Sequence, residues 1–392
     1  MRHLLAPLLV VVLLAAPARA QEQAVAPPTP AEPPVFEPAA DAPADRLSID
    51  VDFLYWFLER MRVPALLTTG TPASGGVLGE IGTDTIYGDD RLDSRHDRYV
   101  GVRFGVDYWL NDDRTVGLNG SAFFLERDSS NFTVKWNAIP LLARPYVDAT
   151  DGSEKAFIIA GPSPGVGDLT GAFNAYSRIE LFGQDANVLY GLGRGECWKL
   201  DALAGFRFLQ MRERLDLTGV SKVLPEESTL LSQTDHFDTF DKFFGVQAGL
   251  TGEAHRGPWF VEGKVALSIG GDDQEIRTYG TTLYQTPQVR MTEDYGVLVL
   301  PSNRGTFERG AFDFVTETQI NVGCDLTRHI RFRVGYSILT WLNPVRPGDQ
   351  ITPINLAQVA PGAPAFTGKP SVPFREDSFW AQGGNVGLEF RW

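Results

Sequence analysis

The sequence predicts an all-β fold: a closed antiparallel transmembrane β-barrel of ten strands, with long extracellular loops and short periplasmic turns. Three observations carry this reading. Apolar residues recur with period two from residue 47 onward. Past residue 20, no apolar run reaches the roughly 18 residues that a spanning helix needs. Short and long connections alternate between the patterned segments, as in outer-membrane barrels.

The chain opens with an expected export signal over residues 1–20. Arg2 and His3 precede the apolar run Leu4 to Ala16, and Ala18-Arg19-Ala20 fits a small-x-small cleavage pattern. Residues 21–46 are rich in Pro, Ala and acid, cannot bury a core, and read as a disordered periplasmic linker. The barrel then occupies 47–392.

The first strand sets Ile49, Val51, Phe53, Tyr55 and Phe57 against Asp50 and Asp52. The second, 99–110, sets Val102, Phe104, Val106 and Tyr108 against Arg103, Gly105 and Asp107. A face of Gly and charge opposite a continuous apolar face reads as lumen opposite lipid. The pattern recurs at 116–124, 185–192, 198–208, 244–250, 259–269, 314–324, 330–338 and 385–392. Twelve strands remain the alternative count.

Short turns fall at 111–113, 193–196, 254–258 and 327–329. Long loops are expected over 59–98, 126–175, 212–237, 270–311 and 342–378. An even count puts both ends of the barrel on the short-turn side. Tyr108, Tyr190, Trp198, Trp259 and Trp392 cluster at that side as an aromatic girdle. A free strand edge cannot be satisfied in lipid, so the sheet must close.

Composition narrows function. Net charge is -14 with 49 acidic and 35 basic residues, which argues against nucleic acid as a partner. Two Cys exclude a disulfide scaffold and a four-Cys zinc site, and Cys197 and Cys324 lie too far apart to pair. No Ca²⁺-loop pattern accompanies the acidic stretches, and no cofactor or metal is expected.

The candidate lumen residues are Arg103, Asp107, Asp201, Arg207, Glu262, Lys264, Glu317, Gln319, Asn321, Arg331, Arg333, Glu389 and Arg391. Ten strands leave a narrow bore, so these charges should pair. Glu317 is expected near Arg331 and Arg333, offset from them by about one turn of the shear. Arg346, Asp349 and Asn355, beyond the ninth strand, are expected to fold back into the mouth and order that loop.

Two functions follow. One is a porin passing small polar solutes through a narrow charged lumen. The other is a non-conducting structural or adhesion barrel with a salt-bridged, plugged lumen. A rim hydrolase is a third and weaker reading, from His96 beside Asp93 and Asp97 and His236 between Asp235 and Asp238. No protease motif accompanies those residues, so the chain is expected not to be an enzyme.

The most specific features lie in the last third: Thr316-Glu317-Thr318-Gln319-Ile320-Asn321-Val322-Gly323, Val334-Gly335-Tyr336-Ser337-Ile338-Leu339, and Val345-Arg346-Pro347-Gly348-Asp349-Gln350-Ile351. With Phe237 to Gly249 and Phe53-Leu54-Tyr55-Trp56-Phe57, they resemble the seventh β-barrel porin family over about residues 48–392. Asp241, Lys242 and Cys324 depart from its pattern. The resemblance implies a barrel in the outer membrane, with membrane lipid as its surroundings and no stated substrate. The terminal Trp392 on an amphipathic strand looks like the signal read by the barrel-assembly machinery.

Overall fold

The computed structural model describes residues 46–92, 98–135 and 140–392. The export signal, the linker up to residue 45, and the group of Asp93, His96 and Asp97 lie outside the described residues.

The main strands are β1 (Leu47–Leu58), β2 (Tyr99–Trp109), β3 (Val116–Leu125), β4 (Gly167–Gly195) and β5 (Trp198–Val223). They continue with β6 (Leu230–Arg256), β7 (Trp259–Gln285), β8 (Gly305–Asp325), β9 (Ile330–Trp341) and β10 (Phe379–Arg391). Consecutive strands pair antiparallel. β10 pairs with β1 from Ser48↔Arg391 to Leu58↔Ala381, so the pairings run round a ring of about ten strands. At the seam, the N–H groups of Arg46 and Leu47 both donate to the carbonyl of Trp392.

The outward faces form an apolar belt. Phe104 at 48%, Phe53 at 52% and Phe244 at 60% exposure are typical members. A belt of this extent would be unfavourable in water by about 25 cal/mol per Å² and calls for an apolar surrounding. Tyr190, Trp198, Trp259 and Trp392 stand outward at its short-turn edge.

Farther along the strands the polarity reverses. On β5 the outward residues change from Leu200 and Phe206 to Gln210, Arg212, Arg214 and Asp216, while Leu209, Met211, Leu215 and Leu217 turn inward and are buried. On β7 the outward row passes from Leu267 and Ile269 to Asp273, Glu275 and Arg277. The belt therefore ends near Phe208, Phe244, Ile269 and Phe312.

This reversal corrects the expected loops at 126–175, 212–237 and 270–311. Much of each is strand, because the alternation persists there with its faces exchanged. Glycine-tipped and short hairpins cap these extensions, and further strands at Asp128–Lys135, Leu142–Val147 and Glu154–Ser163 join them. The resulting head has its own core, including Leu142, Phe173, Leu215, Phe237, Val299 and Ile354. Asp235 ties that core together: its carboxylate accepts the N–H groups of Val297, Leu298 and Val299 and is 2.6 Å from Arg144 Nη2.

Candidate functional site

Strand pleating puts every second residue inside the ring. Each candidate lumen residue falls on that inner phase, and three ionic groups form. At the centre, Glu317 on β8 accepts Arg103 Nη2 on Oε1 at 3.0 Å and Arg207 Nη2 on Oε2 at 2.6 Å. Lys264 stands 3.8 Å from the same carboxylate, and Gln319 accepts Arg103 Nη1 at 2.9 Å.

In the second group, Arg333 reaches Asp50 at 2.6 Å, Asp52 at 2.9 Å and Glu262 at 3.3 Å. Asn321 donates to Glu262 at 2.6 Å and accepts from Asn385 at 3.0 Å. The third group lies at the short-turn end. Arg331 reaches Glu253 at 2.6 Å and Asp325 at 2.7 Å. Arg391 pairs with Glu389 at 2.7 Å, Arg194 with Asp201 at 3.0 Å, and Asp107 accepts Asn119 Nδ2 at 2.6 Å.

Register sets the offset of Glu317 from Arg331 and Arg333. Glu317 lies opposite Leu339, whereas Arg331 and Arg333 lie opposite Asp325 and Gly323. Six residues of strand separate Glu317 from Gly323, roughly 20 Å along the chain. Arg331 and Arg333 therefore take other carboxylates. The groups leave two polar cavities of about 180 and 110 Å³ toward the short-turn end, which share Asp50, Asp107 and Lys264 in their walls.

Between these cavities and the head lies an apolar layer that the sequence reading missed. Leu54, Trp56, Phe123, Leu181, Leu209, Phe243, Trp341 and Phe379 all point inward from seven different strands and pack as one cluster. Each is at most 3% exposed. The sequence does carry a signal. Phe53 to Leu58 is six consecutive apolar residues, so both faces of β1 are apolar there.

Above the layer, the connection 342–378 turns into the ring. Arg346 is 1% exposed and bonds Glu213 on β5 with two nitrogens, at 2.8 and 2.7 Å. Its guanidinium also donates to the carbonyls of Glu59 and Arg60. Asp349 lies within the short turn that follows (Pro347–Gln350) and is near Asp377. Asn355 follows Ile354, which packs in the head core. The Asn355 Oδ1 accepts the Ala357 N–H and caps the turn Leu356–Val359.

At His236 only one of the two expected carboxylates shares its face: Asp238 does and Asp235 does not. Asp235 faces the head core while His236 faces outward, because adjacent strand residues point to opposite faces. His236 Nδ1 bonds Asp216 at 2.6 Å, its ring stacks on Tyr279, and Arg214 holds the other side of Asp216. These contacts make a partly buried cluster of Arg214, Asp216, His236 and Tyr279 on the outer face of the sheet. Cys197 and Cys324 are both free. Among the described residues, no group of three or more His, Cys, Asp or Glu is placed to hold a metal.

Solved structures with a similar course include the outer membrane protease OmpT from Escherichia coli. It is 11% identical with a TM-score of 0.41, covering 89% of this chain and 97% of that one. A Pseudomonas aeruginosa FadL homologue is 7% identical at a TM-score of 0.26, covering 90% and 93%. The Pseudomonas putida toluene transporter TodX is 8% identical at 0.16, covering 89% and 90%. At these values the likenesses carry no argument about function. No curated protein matches the chain. The family model described as "Putative beta barrel porin-7" matches residues 49–392, and the chain belongs to that family.

Proposed function

We propose that this chain is a closed ten-stranded outer-membrane barrel that does not conduct, and that it carries a folded β head on the extracellular side. The observation that supports this most is the apolar layer across the bore. Trp56, Phe243 and Trp341 lie between the polar cavities and the head, and each is fully buried. A small polar solute entering from the short-turn side would have to shed its water to pass them, at several kcal/mol per unpaired polar group. The salt-bridged wall below reads as packing, since its charges are already paired.

In this reading the short turns are periplasmic, the belt contacts outer-membrane lipid, and the barrel-assembly machinery inserts the chain. It is not an enzyme. A second reading is a porin for small polar solutes, favoured by the two cavities lined with charge of both signs. Planar-bilayer recording of the refolded protein decides between them. Silence across a salt gradient is expected. Discrete current steps with a reproducible ion preference would establish the porin and end the plugged reading. Orientation is tested by protease treatment of intact cells, with cuts expected at the head hairpin tips 224–229 or 286–289. Cuts at 111–113 or 327–329 would reverse the orientation.

A further inference from the structure

The loop that turns into the ring is held by charges that do not balance. Asn343 donates its N–H and its Nδ2 to Asp313 on β8. Its carbonyl accepts Gln274 Nε2 from β7 at 2.9 Å. The Val345 N–H donates to Asp241 Oδ1 on β6 at 2.8 Å, and Arg346 holds Glu213 on β5. Asp272 on β7 sits among them at 1% exposure and accepts Gln274 at 3.2 Å. Four successive strands thus present four buried carboxylates to a segment with one cation.

The remaining charges do not repair this. Arg309 reaches Gln274 but is tied to Glu376. Lys242 and Asp273 stand on the outer face of the sheet. Within the loop, Asp349 has Asp377 as a like-charged neighbour, and Arg62 lies 3.3 Å from Asp377. Asp241 Oδ2, Asp272 Oδ1 and Asp349 Oδ2 are buried with no hydrogen-bond partner. An ionised carboxylate so placed is costly, and a neutral carboxyl is far less so.

We propose that segment 343–350 is a proton latch, docked on the wall while Asp241, Asp272 and Asp349 are neutral and released as they ionise. All three lie beyond the apolar belt. Burial, the side chain of Asp313 and the outward Asp273 push Asp272 up to about 7 against hydrogen bonding from the Gln274 side chain and the Lys242 backbone. Burial and Asp272 raise Asp241 well above the carboxylate range, with Glu213 and Asp313 adding to the rise and the hydrogen bond from the Val345 N–H opposing it. Burial and Asp377 raise Asp349 to about 6, opposed by Arg346 and Arg62. Each folded value exceeds the ordinary 3.8, so docking is strongest below that value and is lost as pH rises through about 6 to 7. The latch does not depend on whether the ring conducts.

Hydrogen exchange of the full folded chain, corrected for the intrinsic pH dependence of amide exchange, tests this. The reporting amides are Val345, Asp349 and Ile351, each of which donates a hydrogen bond in the docked loop. Their protection should fall roughly tenfold or more between about pH 5.5 and 8.5, while belt amides of β6 and β7 stay protected. Asp272→Asn, neutral at all pH, should keep the segment protected at the higher pH. Asp349→Asn should shift the same way and serves if the first variant does not fold. Equal protection of the segment at both pH values would overturn the latch. So would an unchanged profile in the variant or variants that fold.

Discussion

Arg207 and Glu317 are joined at 2.6 Å although their strands, β5 and β8, are not neighbours in the sheet. The bond therefore crosses the bore. Both residues are nearly fully buried, and Arg103 shares the same carboxylate from β2.

Replacing Glu317 with Ala should consequently strip two buried guanidinium groups of their partner at once. The expected loss is about 3–5 kcal/mol, by the usual cost of breaking one side of a buried pair. Heat or urea unfolding of the refolded barrel measures it. A loss under about 1 kcal/mol would mean that water, and not Glu317, solvates these arginines.

The apolar layer gives a second expectation. Trp56→Ala with Trp341→Ala should open the bore and turn a silent protein into one with current steps. Each truncation costs about 3–5 kcal/mol, so folding is checked first by heat-modifiable gel mobility. A folded double variant that stays silent would place the barrier elsewhere.

Arg346→Lys keeps the charge on the docked loop and gives up the two-pronged contact with Glu213. A destabilisation of about 2 kcal/mol is expected from the lost charge-assisted hydrogen bonds. Comparison with Arg346→Ala, which should cost more, separates the geometry of the contact from its charge. Equal effects of Lys and Ala would show that only the planar fork matters.

Deletion of Trp392 removes the carbonyl that accepts both Arg46 and Leu47, as well as the ring stacked on Phe390. Assembly in cells should fail and periplasmic aggregate should accumulate, read by fractionation and gel mobility. Normal insertion of the truncated chain would show that the seam can form without this residue.

Most of the ring was legible in the sequence because a period of two is unambiguous where one face is wholly apolar. Val102, Phe104 and Val106 against Arg103 and Gly105 leave no other reading. The pattern became illegible in two places for opposite reasons. Around Leu54 and Trp56 both faces are apolar, so the inward residues look no different from the outward ones. Beyond Phe208 the faces exchange roles, and a search for lipid-facing periodicity sees a loop where Arg212, Glu213 and Arg214 continue the strand. The ionic partners of the bore were legible as a set but not as pairs. Pairing depends on the stagger between strands, which set Glu317 against Leu339 and carried it away from Arg333. Arg346 reads from sequence as a residue of the mouth, and its acceptor Glu213 falls in a stretch that carries no lipid-facing periodicity.

The continuation of β7 past Ile269 has a mechanical consequence. Residues 270–285 add 16 positions of strand beyond the belt, roughly 50 Å of chain at about 3.3 Å each. With the tilt of about 40° usual for barrel strands, this is a rise of nearly 40 Å. Since β5, β6 and β7 are paired to their tips, this projection is a stiff mast and not a tether. Whatever meets the top of the head does so at a fixed stand-off from the bilayer, and a force applied there is delivered along continuous hydrogen-bonded ladders into the wall of the ring.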